Sequence, residues 1–318
     1  MMPLLMPHLI LTPGDPTGIG YEITVKALRR LGELPPARLT IIGSMKALEK
    51  VAKFLVVTLP QSDEIIFQDI DAIKPGAVAF QALEMAVEQI ARGEGDVLVT
   101  GPISKRNLAA AEHPFSGHTE ILEHLAQRFF KMPGARAEMI FVYKNLRLLL
   151  LTRHIALKDV PAALAQTGAV ARPIKALIAY LRHQLGISDP RLAMLGLNPH
   201  AGEVGGDEEK KFFLPVIHAV NAIGASRIDG PLAADGFFRS FDLQKTPYDA
   251  IIAPYHDQGL IPFKMLAGYE AVNVTIGLPF LRTSVSHGTA EDIANLGIAR
   301  EDSMMAALQL AIESFGTR

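Results

Sequence analysis

Four histidines stand in segments whose neighbours are small, rigid or polar: His118 in SGHTE, His154 in LTRHIALKDV, His200 in GLNPHAGEVGG and His256 in APYHDQGLIPFK. Glycine and proline bend a backbone so as to aim a side chain. Asp, Asn, Lys and Glu nearby announce water, a metal or a charged ligand. Imidazoles converging from distant segments build a metal centre that is rigid yet open to substrate. His154, His200 and His256 are therefore candidate ligands of one divalent metal, leaving positions free for a small anionic molecule. Zinc, cobalt, manganese and, less naturally, magnesium accept such ligands. The 318-residue chain has no cysteine, so thiolate zinc sites and disulfides are excluded.

Other residues could join this chemistry. Asp257 follows His256 directly and is either a partner orienting that ring, a proton acceptor, or the cap of a following helix. Asp235 in PLAADGFF carries the same ambiguity. Lys264, Asn273 and Arg282 form a polar series downstream of His256. A guanidinium grips carboxylate or phosphate with two parallel bonds, whereas an ammonium acts as a point charge. His118 and Thr119 stand at a loop-to-helix junction, where Thr119 either caps the helix or joins free N–H groups in binding phosphate. TPGDPTGIG is glycine-rich but is neither a Rossmann nor a Walker motif.

These residues need elements to hold them. HLILT (8–12), RLTIIGS (38–44), DVLVTGP (96–102), RLAMLGLNPH (191–200) and DAIIAPYHD (249–257) read as buried strands. AEMIFVY and LRLLLLT, joined by KN, read as a hairpin. Residues 60–75 read as a loop holding one or two strands. Residues 75–94 form the clearest helix, with Val78, Ala82, Met85, Ala86 and Ile90 on one face, Pro75 at its start and Gly93 at its end. Further helices are expected after residue 20, over 161–185 and 207–223, and two in the tail from 289. Residues 269–279 read as strand-like. Strands alternating with helices imply a mostly parallel sheet flanked by helices, an α/β fold. The polar segments follow strands, where open parallel sheets bind ligands.

About half the residues are hydrophobic, and the net charge of −2 implies no basic face for nucleic acid. No Lys or Arg precedes Lys26, so the apolar start reads as a strand and not a leader. No run approaches the ~20 apolar residues of a membrane helix. The expected location is cytoplasmic.

The segment SVSHGTAEDIANLGIA (284–299) resembles the adenine-binding loop of the metal-dependent β-decarboxylating dehydrogenases, which bind NAD or NADP without a Rossmann fingerprint. That likeness assigns His287, Gly288, Thr289, Ala290 and Asp292 to the cofactor. The ordered set TPGDPTGIG, TGPISK, SGHTE, GLNPHAGE, YHDQG and VNVTIGLPFLRTSVSHGTA resembles the 4-hydroxythreonine-4-phosphate dehydrogenase family from residue 8 to the C-terminus. Tyr21 departs from that family's usual proline, and residues 45–75 are short against many of its members.

The resemblance implies an isopropylmalate-dehydrogenase-like fold of two intertwined subdomains, 1–130 plus 265–318 and 131–264, with the active site in their cleft. It implies a homodimer with shared active sites, and His154, His200 and His256 as metal ligands contributed across subunits. It implies His118, Thr119, Lys264, Asn273 and Arg282 as substrate contacts. The reaction it implies is oxidation of 4-phosphooxy-L-threonine at C3 followed by decarboxylation; by position Asp257 and Asp235 are candidate proton acceptors, and Lys264 is a further catalytic candidate that would pair with a substrate anion. A paralogous group acting on 4-phospho-D-threonate or D-erythronate shares these motifs. A metal-dependent hydrolase or lyase of a phosphorylated substrate would use the same histidines but leaves HGTAEDIA unexplained.

Overall fold

The computed structural model describes residues 6–315. The chain divides into two compact units, one built from the chain up to Ala137 together with the chain from Val272, the other from Glu138 to Ala271.

Chain order begins with β1 (His8–Thr12), α1 (Gly20–Arg29), β2 (Arg38–Gly43), α2 (Met45–Phe54) and β3 (Ile65–Asp69). Then come α3 (Pro75–Ala91), β4 (Val97–Thr100), α4 (Lys105–Ala110) and α5 (His118–Phe129). The second unit holds β5 (Glu138–Tyr143), β6 (Leu146–Leu150), α6 (Val160–Leu164), α7 (Ala171–His183) and β7 (Arg191–Leu195). It continues with α8 (Leu214–Ile223), β8 (Arg227–Leu232), α9 (Ala234–Arg239), β9 (Ala250–Ala253) and α10 (His256–Ala267). The chain returns to the first unit as β10 (Val272–Ile276), β11 (Leu281–Val285) and α11 (Asp302–Phe315).

In the first unit the strands lie in the order β3-β2-β1-β4-β11-β10, parallel except for antiparallel β10 against β11. In the second the order is β5-β6-β9-β7-β8, parallel except for the β5–β6 hairpin. The expected α/β architecture is borne out. Strands buried on both faces explain the runs of Val, Ile and Leu in β1, β4 and β9. Helix α3 buries Val78, Ala82, Ala86 and Ile90, and the stripe widens to Ala79, Leu83 and Val87, packing with Ile10, Leu98 and Ile121. In the second unit Leu148, Ile251, Leu260 and Phe263 form the core.

Two expectations fail. Residues 161–185 are not one helix: α6 stops at Leu164, and Gly168 takes φ +79° before α7 starts. The tail from 289 holds one helix, α11. Residues 289–299 are turns, because Ala290 (φ +43°), Asn295 (φ +64°) and Gly297 (φ +72°) interrupt any helical run. Among the described residues no helix is long and apolar enough to cross a membrane.

The turns after β1 and β4 interlock. A Cβ on Gly101 would stand 2.1 Å from the Pro13 carbonyl oxygen. Gly32, by contrast, faces open space. Gly101→Ala should lower stability by about 3 kcal/mol or more through backbone collision. Gly32→Ala should raise it by about 0.4–1 kcal/mol by restricting the unfolded chain. Urea unfolding of both variants checks the pair of signs.

Candidate active site

Three strands of the second unit that are remote in sequence lie side by side in the order β6-β9-β7 and run parallel. Their carboxyl ends therefore bring the segments of His154, His256 and His200 to one rim. Thr152 ties the first two segments together, donating its Oγ1–H to the Pro254 carbonyl at 2.7 Å. The rings of His154 and His256 stand 5.8 Å apart between centroids and are tilted by 50°. Two imidazoles sharing an ion through N–metal bonds of about 2 Å require a ring separation of about 5–6 Å, so this pair fits a common cation.

His256 Nδ1 lies 2.6 Å from Asp257 Oδ1. A ring nitrogen that donates to a carboxylate leaves Nε2 as the ligating atom. Asp257 sits inside the first turn of α10, whose cap position is Tyr255, so the helix-cap alternative is overturned. Arg153, His154, Tyr255, His256 and Asp257 line a cavity of about 280 Å³. Arg153, which sequence reasoning missed, brings a guanidinium beside the pair, 4.0 Å from buried Glu138.

His200 follows β7 on a tight turn with φ +53°. Among the described residues no group of three His, Asp or Glu side chains is arranged to hold a metal ion. The chain thus brings two of the three candidate ligands together and not the third. Asp235 is exposed in the first turn of α9. Lys264 is exposed eight residues along α10 from His256, about 12 Å of helix.

The first unit holds a different arrangement. Arg282, on β11, is buried, with only 2 % of its surface exposed. Its Nε and one terminal nitrogen donate to Thr100 Oγ1 at 2.9 and 2.7 Å, and the other terminal nitrogen donates to Thr275 Oγ1 at 3.2 Å. Thr100 passes its own proton to Ser284 Oγ at 2.9 Å. Among the described residues Arg282 has no carboxylate partner, and burial alone pulls its pKa down to about 9. It stays cationic at neutral pH. Sequence reasoning missed its hydroxyl cage: Thr100 and Thr275 are polar residues inside largely apolar strands, and only the packing of those strands brings them to Arg282.

His118 opens the twelve-residue helix α5 with Thr119 next to it. Its Nε2 is fully covered and, among the described residues, has no hydrogen-bond partner. Burial first, and the Arg282 charge second, hold its pKa well below the usual 6.5, so the ring is neutral. Asn273 is half-buried on β10, opposite Ser284. A buried cation, a covered imidazole nitrogen and a helix N-terminus together suit an anion.

The segment expected to hold cofactor is clamped onto α1. Ile19 N–H donates to the Thr289 carbonyl at 2.9 Å. Lys26 Nζ donates to the Gly297 and Ala299 carbonyls, and Glu22 accepts from Ala299 N–H. Arg106 pairs with Glu291 at 2.5 Å. His287 Nδ1 lies 2.9 Å from the Gly288 carbonyl oxygen, Ala290 takes the strained φ noted above, and Gly288 and Asp292 are exposed.

Mostly parallel strands with polar loops at their carboxyl ends define an α/β protein of the class that binds its ligands at those strand ends. The family model described as pyridoxal phosphate biosynthetic protein PdxA matches residues 24–311. A 4-hydroxythreonine-4-phosphate dehydrogenase of Synechocystis sp. is 40% identical over 337 residues, covering 97% of this chain and 95% of the relative. The solved structure of a 4-hydroxythreonine-4-phosphate dehydrogenase from Klebsiella pneumoniae is 30% identical with a TM-score of 0.85, covering 99% of this chain and 100% of that one. One from Burkholderia phymatum is 33% identical with a TM-score of 0.80, covering 97% and 98%. The chain belongs to this family, and is by that membership an oxidoreductase.

Unfolding returns His118 to water, where its pKa is near 6.5. Below that pH the unfolded chain takes up a proton that the folded chain refuses, so stability falls as the pH drops, by at most about 1.4 kcal/mol per pH unit. His118→Gln should therefore lose less stability than the parent between about pH 7 and about pH 5. Equal slopes in urea unfolding would contradict the neutral assignment.

Proposed function

We propose that this enzyme oxidises 4-phosphooxy-L-threonine at its C3 hydroxyl with NAD or NADP and decarboxylates the product to 3-amino-2-oxopropyl phosphate, in pyridoxine 5'-phosphate formation. The observation that carries this reading is Arg282, a buried guanidinium with hydroxyl partners but no carboxylate. A phosphate dianion would complete it, with His118, Thr119 and Asn273 as further donors and Lys264 as a point charge.

A divalent ion, when bound, would supply polarisation of the substrate oxygen, and a bound nicotinamide would supply the hydride acceptor. His154 and His256 would hold the ion, His256 through Nε2, since its Nδ1 faces Asp257. Asp257 fixes the His256 ring with one carboxylate oxygen and keeps the other for a proton; Asp235 is the second candidate acceptor. In the oxidation, the C3–H bond leaves as hydride and the hydroxyl proton goes to the base. In the second step the bond from C2 to the carboxylate breaks, carbon dioxide departs, the electron pair forms the enolate of the new ketone, and a proton returned from the acid form of the same base to C2 gives the ketone product. His287, Gly288, Thr289, Ala290 and Asp292 would hold the cofactor, on the clamped segment described above.

The third metal ligand is read as His200 of a second copy. The exposed apolar side chains Ile155, Leu157, Ile261, Met265 and Tyr269 support such a pairing, because they flank the histidine pair and the helix that carries it. In this reading the enzyme is a homodimer with shared active sites.

Reduced nicotinamide absorbance should rise with 4-phosphooxy-L-threonine, stop on addition of a chelator and return with zinc, magnesium, cobalt or manganese. Faster turnover of 4-phospho-D-threonate would move the enzyme to the paralogous substrate, whose phosphate and hydroxyl use the same contacts. Reduction unaffected by the chelator would remove the metal from the mechanism. Arg282→Met should be as stable as the parent or more so, since an unpaired buried charge is removed. Inorganic phosphate should raise the parent's melting temperature and leave that of Arg282→Met unchanged.

A further inference from the structure

His200 and Ala201 both take left-handed backbone conformations, φ +53° and +56°. Two consecutive non-glycine residues in that region cost free energy and persist only where the surroundings over-determine them. The surroundings here centre on Glu209. Its side chain is buried, yet it pairs with no cation among the described residues. One carboxylate oxygen accepts the backbone N–H of Asn198 at 2.7 Å, and the other accepts Asn198 Nδ2 at 3.1 Å. Asn198 Nδ2 also donates to Glu208 Oε2 at 2.9 Å.

The same carboxylate fills the underside of the turn. A Cβ on Gly202, whose φ is +91°, would stand 2.8 Å from Glu209 Oε2. Glu209 begins a one-turn π-helix, Glu209–Phe213, ahead of α8. Such turns shift a side chain out of α-helical register and cluster at functional sites. A second tie braces the turn from the neighbouring strand end. Gln258, two residues after His256, donates to the Gly196 carbonyl at 2.7 Å, and Gly196 packs against Ala201.

We infer that Glu209 is a positioning residue for His200, a buried carboxylate that holds the Asn198–Gly202 turn so that the imidazole is presented in one fixed direction. The inference rests on the reading of His200 as a metal ligand. It assigns a task to a charge that is otherwise costly to bury. The carboxylate is matched to its partners, since both its oxygens face donors. An amide at 209 would turn one of those acceptors into a donor facing Asn198 Nδ2.

The test is zinc titration of the full-length protein by calorimetry, without substrate or cofactor, on Glu209→Gln, Glu209→Asp, Asn198→Ala and His200→Ala. Glu209→Gln should bind zinc about 10–100-fold more weakly, as is usual when an outer partner of a metal ligand is removed, with its assembly state retained. Glu209→Asp, which is one methylene short, should not rescue the affinity. Asn198→Ala keeps the backbone bond to Glu209 and should show a smaller loss; it also serves if the Glu209 variants do not fold. Parental zinc affinity in a folded Glu209→Gln, or in Asn198→Ala should the Glu209 variants not fold, would overturn the inference, provided His200→Ala has lost affinity. Parental affinity in His200→Ala would instead overturn the assignment of His200 as a ligand.

Discussion

A guanidinium buried without a carboxylate is the constraint around which the first unit is organised. Removing such a charge from water costs several kcal/mol even after relaxation. Neutral hydroxyls at Thr100 and Thr275 recover part of that cost, and burial still pulls the Arg282 pKa down to about 9. A guanidinium so placed is more favourable with an anion beside it than without one. The same charge helps keep His118 neutral, so that the ring offers one donor and one acceptor and adds no second positive charge.

The second unit solves a different problem, that of bringing imidazoles together from positions about 100 residues apart. Parallel pairing does this directly. Strands β6, β9 and β7 are neighbours, so the loops leaving their carboxyl ends are neighbours too. Thr152 and Gln258 fix the loops to each other by bonds to the Pro254 and Gly196 carbonyls. Asp257 fixes one ring. The ties between loops run to the backbone carbonyls that follow β9 and β7, which limits how far one histidine segment can drift from the next.

Much of this was legible in the residues. HLILT reads as a strand and is one, because an apolar run bounded by proline and glycine has few alternatives. The helix from Pro75 shows its period, its start and its stop. His154 and His256 stood out by their Gly, Pro and Asp neighbours. The break between α6 and α7 was hidden, because apolar residues continue across Gly168 and only its left-handed φ divides them. The tail was misread for a similar reason: AEDIANLGIA carries helical composition, but Lys26 and Glu22 of α1 hold its backbone in turns. Partners such as Thr100 for Arg282 or Glu209 for Asn198 depend on long-range packing, which a single sequence does not encode locally.

The central claim is that Arg282 waits for the phosphate of the substrate. A crystal structure with bound 4-phosphooxy-L-threonine tests it most directly. The account predicts phosphate oxygens within hydrogen-bonding distance of the Arg282 guanidinium and of His118 Nε2. A substrate whose phosphate lies elsewhere, with Arg282 still bonded only to Thr100 and Thr275, would contradict it.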